Sequence, residues 1–324
     1  MLRSAQRSRP GQARGLTLLV TLLLLALLAG CAPIGRAHHS ATPTPTATVT
    51  PPPTTPDSLP LPIAPPPAVS AQIAYLLDPS TGVVYFARNA DTPAAMASTT
   101  KIMTALVAIL YGNLDQRMTV GSDLSALNGT GASVAGLQVG ETLTLRELLY
   151  ALLLPSGDDA ALVIADGVAG SQERFVAMMN LQAQLMGMYH THYANAHGLD
   201  APNHYTTARD LATLTLAALR SPTFAKIVST PKYVLAQTND HQRFDWKNTN
   251  LLLSSMRYPG ADGVKTGYTG NAQGCLVFSA SRPNERLLGV VLGEPFGQDD
   301  STRFSDAASL LTWGFSVESE QTQP

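Results

Sequence analysis

Residues 97–104 read Ala-Ser-Thr-Thr-Lys-Ile-Met-Thr and open an apolar segment that predicts a helix from Lys101 to Tyr111. Ser98 and Lys101 are three residues apart, so a helix would place their side chains on one face. A serine hydroxyl becomes a nucleophile when a base takes its proton, and a lysine amine can be that base if burial or nearby cations lower its pKa. The free N–H groups at a helix N-terminus suit an oxyanion beside Ser98. This stretch therefore predicts a serine nucleophile and its base.

Two more polar motifs follow along the chain. Residues 156–158 read Ser-Gly-Asp, directly after a leucine-rich segment that ends at Pro155. Residues 265–268 read Lys-Thr-Gly-Tyr, in a segment with the pattern of a strand edge. A lysine beside a glycine at such an edge supplies a positive charge for a carboxylate and lets a substrate backbone come close. Each motif alone is also common in ordinary surface turns, so their specificity comes from their order and spacing.

In this order the motifs resemble the Ser-x-x-Lys, Ser-x-Asn and Lys-Thr-Gly signature of the penicillin-recognising serine transferases and hydrolases. Within that group the chain is similar to the D-alanyl-D-alanine carboxypeptidases, the low-molecular-mass penicillin-binding proteins. The segments that carry this closer resemblance surround the motifs and are residues 97–104, 152–161, 195–199, 206–212, 248–252 and 263–269. The resemblance covers about residues 70–317, which is essentially the whole foldable part of the chain.

The resemblance implies a role for each catalytic residue. Ser98 would be the acylated nucleophile, Lys101 its base, and Ser156 a relay that passes a proton to the leaving group. The backbone N–H groups of Ser98 and Tyr268 would form the oxyanion hole. The implied reaction removes the terminal D-alanine from peptidoglycan stem peptides that end in D-Ala-D-Ala, and water then hydrolyses the acyl-enzyme. The resemblance also implies β-lactams as covalent inhibitors, and it implies no cofactor and no metal.

The substrate-binding residues implied by the resemblance are Asp158, Lys265, Thr266, Gly267 and Tyr268. Lys265 and Thr266 would bind the terminal carboxylate of the substrate. Asp158 departs from the family pattern, which has Asn at this position. An amide can donate to a substrate and accept from a lysine, whereas an ionised carboxylate only accepts. A carboxylate between Lys101 and Lys265 is expected to raise the pKa of Lys101 and to oppose its role as a neutral base.

The order of strand-like and helical segments predicts one α/β (α+β) domain. The strand-like segments are residues 71–77, 83–88, 274–280 and 286–292. Helical segments lie between these two groups, and a last helix is predicted from Phe304 to about Phe315. The resemblance implies a β-lactamase/transpeptidase-like fold, in which N- and C-terminal strands form an antiparallel sheet and a helical region is inserted between them. We expect the catalytic serine peptidase domain at residues 69–317 and a tail at 318–324.

The N-terminus has the pattern of an export signal. Four arginines precede the apolar run at residues 16–28, which is shorter than the ~20 residues of a membrane-spanning helix. Ala29, Gly30 and Cys31 at its end resemble a bacterial lipobox, so we interpret residues 1–31 as a lipoprotein signal peptide with Cys31 as the lipidation site. The Pro- and Thr-rich residues 32–68 predict a disordered linker. We therefore expect an exported lipoprotein, anchored to a membrane by its N-terminal lipid and facing the cell wall.

Charge and composition exclude several other classes of protein. The 324-residue chain has 21 Lys and Arg against 23 Asp and Glu, and its net charge is −2. Five arginines and no acidic residue precede Asp57, so the remainder has 16 basic and 23 acidic residues and a net charge of −7. This balance excludes a strongly basic nucleic-acid-binding protein. A hydrophobic content of 45% excludes a chain that is disordered throughout.

Other readings of the motifs stay open at the level of sequence. A β-lactamase of the same fold would need a base that deacylates the serine quickly, and Glu147 is the candidate, although its spacing from Thr144 predicts a helix-capping role. A DD-endopeptidase fits the same motifs, and Asp158 leaves room for a non-catalytic β-lactam sensor or wall-binding lipoprotein. A Ser-His-Asp hydrolase or a zinc peptidase has little support, because the chain has neither a Gly-x-Ser-x-Gly nor a His-Glu-x-x-His motif. Cys275, in an apolar strand, is expected to be a buried free thiol.

Overall fold

The computed structural model describes residues 65–295 and 301–321 of the protein. In chain order its helices and strands are β1 (Ile73–Leu77), β2 (Val84–Arg88), α1 (Lys101–Tyr111), β3 (Arg117–Thr119), β4 (Thr142–Thr144), α2 (Leu145–Leu153), α3 (Asp158–Ala169), α4 (Gln172–Leu185), α5 (Ala208–Leu219), α6 (Pro222–Val228), β5 (Lys232–Leu235), β6 (Phe244–Lys247), β7 (Ala261–Thr269), β8 (Gln273–Arg282), β9 (Glu285–Glu294) and α7 (Thr302–Gln321). Short 3₁₀ turns lie at Ala97–Thr100 and Ser122–Leu127.

Five strands form one antiparallel sheet in the order β2-β1-β9-β8-β7. The N-terminal strand β1 lies between β2 and the C-terminal β9, with Ile73 opposite Leu292. The inner strand β8, between β9 and β7, is apolar at consecutive positions, because layers of helix cover both faces of the sheet. The sheet thus joins the two ends of the domain, and the helical region lies between them in sequence, which confirms the predicted fold class.

The core consists of two layers, one on each face of the sheet. On one face the helical region packs around α1, whose Ile102, Met103 and Val107 are fully buried. On the other face α7 contributes Phe304 and Leu310 to a smaller cluster. A helix that is apolar all round belongs in the interior of a domain, and each large side chain buried there contributes about 1.5–3 kcal/mol. Helix α1, which begins at Lys101, is therefore a rigid support for the site.

Helix ends agree with the sequence where capping residues mark them. Helix α2 begins with the predicted capping box, in which Thr144 accepts from the N–H of Glu147 and the Glu147 side chain accepts from the N–H of Thr144.

Helix α7 extends to Gln321, beyond the end expected near Phe315, so residues 318–321 continue the helix. Sequence patterns do not predict the ribbons β3–β4 and β5–β6, because strands of three or four residues are too short to show a period.

The proposed signal peptide, Cys31 and most of the linker fall in residues 1–64, outside the described part of the chain. Within residues 65–295 and 301–321, none of the helices combines the length and the apolar character needed to cross a bilayer.

Candidate active site

Ser98 lies on the 3₁₀ turn Ala97–Thr100, immediately before α1. The hydroxyls of Thr99 and Thr100 donate to backbone carbonyls three residues earlier, at 2.6 and 2.7 Å, and so hold the turn from within. Ala97 has a φ of 46°, a left-handed conformation that costs a residue with a side chain about 1–3 kcal/mol. The strained residue is directly before the nucleophile Ser98, and the hydrogen bonds of Thr99 and Thr100 keep the turn in this conformation.

The amine of Lys101 is surrounded by three acceptors. Its Nζ lies 2.8 Å from the hydroxyl oxygen of Ser98, 2.5 Å from Oδ1 of Asp158 and 2.5 Å from the carbonyl oxygen of His197. The side chain is completely buried, and burial lowers the pKa of Lys101 below its ordinary value, while Asp158 raises it. The carboxylate therefore acts in the direction expected from the sequence, and burial outweighs it. Relative to an exposed lysine, the neutral amine that a general base needs is favoured.

Asp158 is the first residue of α3, and its second carboxylate oxygen accepts from the N–H of Ser133 at 3.1 Å. The next carboxylate, Asp159, accepts from the backbone N–H groups of residues 135–137 at 2.8 to 3.1 Å. Two consecutive aspartates thus attach one loop to the start of α3. The same attachment fixes the oxygen of Asp158 that faces Lys101.

A second serine–lysine pair faces the first. The Nζ atom of Lys265 lies 2.9 Å from the hydroxyl oxygen of Ser156 and 2.9 Å from the carbonyl of Thr266. Ser156 has a φ of 67°, so its backbone is also held in the left-handed region. Burial and the nearby charge of Lys101 hold the pKa of Lys265 well below its ordinary value. Among the described residues no hydrogen bond joins Lys265 to Asp158, so Asp158 pairs with the lysine of the first motif only.

Strand β7 runs directly against the nucleophile turn. A Cβ atom at Gly267 would lie 3.0 Å from the backbone nitrogen of Ser98, so glycine is what permits this close approach. Arg303 donates to the carbonyl of Gly267 at 2.9 Å. The hydroxyl of Thr266 lies 2.6 Å from that of Thr249, which orients it at the strand edge.

The structure brings the predicted site residues of the folded part together, namely Ser98, Lys101, Ser156, Asp158, Lys265, Thr266, Gly267 and, at the end of the motif, Tyr268. Sequence reasoning assigned no role to several residues that support them, which are Ser133, Gly198, Thr249 and Arg303. Two of them lie in segments that carry part of the resemblance, Thr249 in 248–252 and Gly198 in 195–199. Gly198 has a φ of 102°, and a Cβ there would lie 2.2 Å from the carbonyl oxygen of Ala97.

His197 makes the contacts of a structural loop residue. Its ring Nδ1 accepts from the N–H of Leu199 at 3.2 Å, while its carbonyl accepts from Lys101. Burial lowers the pKa of His197 to about 4, so the ring is neutral at pH 7. His204 lies 2.8 Å from the hydroxyl of Thr100, and burial lowers its pKa to about 4 as well. Neither histidine adds a positive charge to the site at neutral pH.

Two other sequence predictions are confirmed. Glu147 is engaged in the capping box of α2, as its spacing from Thr144 predicts, and its carboxylate accepts from the N–H of Thr144 at 2.8 Å. Cys275 is a buried free thiol, and burial raises its pKa to about 12. A thiol with such a pKa is protonated at pH 7 and is a poor nucleophile.

Two serine–lysine pairs that meet beside an edge strand are the arrangement of the penicillin-recognising serine enzymes. The sheet, in which the first and last strands of the domain are neighbours, agrees with that class.

Comparison with known proteins places the chain within this class. The D-alanyl-D-alanine carboxypeptidase family matches residues 62–295. A D-alanyl-D-alanine carboxypeptidase of Streptomyces sp. strain K15 is 38% identical over 266 residues, which cover 78% of this chain and 89% of the relative. The D-alanyl-D-alanine carboxypeptidase DacF of Bacillus subtilis is 35% identical over 77% of this chain, which spans only 63% of that relative. The crystal structure of the Streptomyces K15 DD-transpeptidase superposes with a TM-score of 0.73 at 36% identity and covers 78% of this chain and 100% of that one. The chain therefore belongs to the D-alanyl-D-alanine carboxypeptidase family and is an enzyme of the serine hydrolase class.

Proposed function

We propose that the protein removes the terminal D-alanine from peptidoglycan stem peptides that end in D-Ala-D-Ala, through an acyl-enzyme on Ser98. The observation that carries the proposal is the pair of serine–lysine contacts, 2.8 Å from Lys101 Nζ to Ser98 Oγ and 2.9 Å from Lys265 Nζ to Ser156 Oγ. A hydroxyl within hydrogen-bond reach of a buried amine is the geometry that general-base activation of a nucleophile needs.

In the first half-reaction, neutral Lys101 takes the proton of the Ser98 hydroxyl while its oxygen attacks the carbonyl carbon of the penultimate D-alanine. The lowered pKa of Lys101 supports this role. The oxyanion is bound by the backbone N–H groups of Ser98 and Tyr268, and the close approach of Gly267 to the Ser98 backbone supports that pairing. As the C–N bond breaks, Ser156 gives its hydroxyl proton to the departing amine of the terminal D-alanine and receives the proton that Lys101 took from Ser98, so Lys101 is neutral again. Water then hydrolyses the ester and regenerates the Ser98 hydroxyl.

The terminal carboxylate of the substrate binds at Lys265 and Thr266. Lys265 is buried, and burial holds its pKa well below the ordinary value, which favours the neutral amine more than in an exposed lysine. An arriving carboxylate acts in the opposite direction, because an opposite charge within about 4–6 Å favours the ammonium form. Thr266, oriented by Thr249 at 2.6 Å, adds a hydroxyl donor. A buried lysine paired with a hydroxyl donor in this way supports selection of peptides with a free C-terminal carboxylate.

We also propose that the protein is exported and held to a membrane by a lipid on Cys31, facing the cell wall. The support is in the sequence: four arginines, the apolar run at residues 16–28, and the Ala-Gly-Cys that ends it. Two or three acyl chains anchor a protein stably, because each buried methylene adds about 0.8 kcal/mol.

The test is to incubate the full-length protein with a pentapeptide that ends in D-Ala-D-Ala and to follow free D-alanine by mass. We expect one D-alanine per peptide from the wild type and none from Ser98→Ala. Labelling with a fluorescent penicillin, without D-alanine release, would contradict the carboxypeptidase assignment. Rapid loss of the label would indicate a β-lactamase, cleavage of a cross-linked peptide dimer would indicate a DD-endopeptidase, and absence of any label would favour a non-catalytic wall-binding protein.

A further inference from the structure

A cleft of about 680 Å³ is lined by His197 and by Tyr268, the residue that ends the third motif. One wall is the end of β7, with Tyr268 and Thr269, and the opposite walls are the loops around residues 126–131 and 194–201. The cleft begins at His197, whose carbonyl accepts from Lys101, and at Tyr268, which directly follows the glycine that contacts the nucleophile turn. The cleft is therefore a continuation of the active site along β7.

The proposed function determines which part of a substrate enters this cleft, and the present inference rests on it. With the terminal carboxylate at Lys265 and the attacked carbonyl at Ser98, the preceding residues of the peptide leave the site on the far side of Gly267. An extended peptide beside an edge strand lies alongside that strand, and with this orientation it runs antiparallel to β7. The residue before D-Ala-D-Ala is thus brought to the cleft beyond Tyr268.

Asp200 is the one charged side chain that lines the described cleft. Its Oδ1 accepts from the hydroxyl of Thr269 at 2.7 Å, and its Oδ2 accepts from the N–H of Asn271 at 3.2 Å. Both donors are neutral, and no ion pair involving Asp200 is found within residues 65–295 and 301–321. Each carboxylate oxygen retains a further acceptor position. The carboxylate is therefore an oriented negative charge without a cation beside it.

We propose that Asp200 is a specificity residue that binds the side-chain ammonium group of the residue preceding D-Ala-D-Ala. The ligand class is a peptide in which this residue carries an aliphatic side chain ending in an amine. The apolar side chains of Leu127, Leu162 and Leu199 line the same cleft, and they suit the methylene stem of such a side chain. Asp200 is exposed to solvent, so the interaction is screened and its contribution to selectivity is modest.

The experiment compares two substrates of the full-length protein, Nα-acetyl-Lys-D-Ala-D-Ala and its counterpart acetylated also on Nε. The two differ in the side-chain charge, and we expect the wild type to prefer the free amine in kcat/KM by about fivefold, as for a partly exposed charge pair. Asp200→Asn should bring this ratio close to 1. The amide can keep both loop contacts, since its oxygen can accept from Asn271 and its amino group can donate to the Thr269 hydroxyl.

Asp123→Asn is the matched control, because Asp123 is an exposed carboxylate on the 3₁₀ turn Ser122–Leu127 but does not line the cleft. It should keep the wild-type ratio. A wild type that treats both peptides equally, or a preference that survives in Asp200→Asn, would overturn the inference and leave Asp200 as a link between its loop and β7.

Calorimetric titration of both peptides into the full-length Ser98→Ala protein separates this inference from the proposed reaction. If neither peptide releases D-alanine from the wild type, the proposed function fails, but tighter binding of the free-amine peptide, abolished by Asp200→Asn, would still support the subsite. Equal binding of the two peptides, or binding of neither, would refute it.

Discussion

The amine of Lys101 lies 2.5 Å from the carboxylate of Asp158, and the two side chains are 0% and 3% exposed. Where the resemblance leads one to expect an amide, the site has a buried carboxylate in direct contact with the base. An apparent pKa that a pH–rate profile reports for Lys101 therefore includes the effect of this carboxylate. Asp158 also accepts from Ser133, so the charge that influences the base is fixed in position by the adjacent loop.

Asp158→Asn should shift the part of the pH profile on which acylation rises with pH to lower pH, by about one unit or more. Acylation at pH 7 should therefore be faster. Asp158 raises the pKa of Lys101 against the effect of burial, so its removal lowers that pKa further and makes the neutral amine available at lower pH. The asparagine can keep the contact with Ser133 through its oxygen and donate to the lone pair of neutral Lys101. The measurement is the rate of acylation by a fluorescent penicillin as a function of pH.

Asp115→Asn is the control for this charge effect, because Asp115 is an exposed carboxylate 3.5 Å from Arg146. Its profile should coincide with that of the wild type. If the profile of Asp158→Asn also coincides with that of the wild type, the Asp158 carboxylate does not shift the pKa of Lys101.

Ser98→Ala should abolish the covalent penicillin adduct and leave the midpoint of thermal unfolding nearly unchanged, because only the hydrogen bond to Lys101 is lost. Ser156→Ala should still form the adduct, but about 10²- to 10⁴-fold more slowly, since it removes a proton relay. Mass spectrometry of the intact protein after incubation with penicillin measures both. An adduct on Ser98→Ala would show that another residue is the nucleophile.

Gly267→Ala should slow acylation by roughly 10²-fold, because misplacement of a reacting group by about 1 Å has that effect. The new Cβ would lie 3.0 Å from the backbone nitrogen of Ser98 and from the side chain of Ala97, so strand and turn must separate. Gly270→Ala is the matched control, since a Cβ there meets nothing within 4 Å. Equal penicillin acylation rates for the two variants would show that close strand packing is not needed.

Glu294→Gln should stabilise the domain at alkaline pH. Glu294 is 3% exposed, neither carboxylate oxygen has a hydrogen-bond donor in the described structure, and burial together with the adjacent Asp306 raises its pKa from 4.5 to about 7. Between pH 4.5 and about pH 7 Glu294 keeps its proton in the native protein and loses it in the unfolded chain. The free energy of unfolding therefore falls as the pH rises from 4.5 to about 7.

In Glu294→Gln this contribution to the pH dependence disappears, and above pH 7 the variant should be more stable than the wild type by roughly 1 kcal/mol or more. Denaturant unfolding at pH 5 and pH 8 measures the difference. Glu285→Gln, at the other end of β9, is the control and should show the same pH dependence of the free energy of unfolding as the wild type. An equal pH dependence in wild type and Glu294→Gln would assign it to other groups.

Cys31→Ser should give a protein that is exported but found in the soluble fraction, because the thiol that would carry the lipid is absent. Fractionation followed by immunoblotting measures this, and Cys275→Ser serves as the control that keeps Cys31. Recovery of Cys31→Ser in the membrane pellet would contradict anchoring through this residue.

The sequence predicts the parts of the fold that local patterns mark. The predicted end of α1 at Tyr111 and the Thr144–Glu147 capping box that starts α2 both agree with the structure. Ser98, Lys101 and the other motif residues were identified because their side chains carry the chemistry. The N–H of Ser133 bonds to Asp158 and the carbonyl of His197 accepts from Lys101. These are backbone groups that every such residue has, so the sequence does not indicate their roles. The sequence also does not predict whether the pKa of Lys101 is raised or lowered, because the outcome depends on how completely the tertiary structure buries the amine.

The pairing of β1 with β9 has a consequence for when the protein becomes active. Ile73 and Leu292 are opposite each other in the sheet although about 220 residues separate them in the chain. A chain emerges from the ribosome with its N-terminus first, so β1 has only β2 as a partner until the last strand is available, and a two-stranded hairpin is marginally stable on its own. Lys265 is supplied by β7, which also comes late. The nascent chain therefore carries Ser98 for most of its synthesis without the groups that would make it reactive, and the finished protein gains its structure and its nucleophile together.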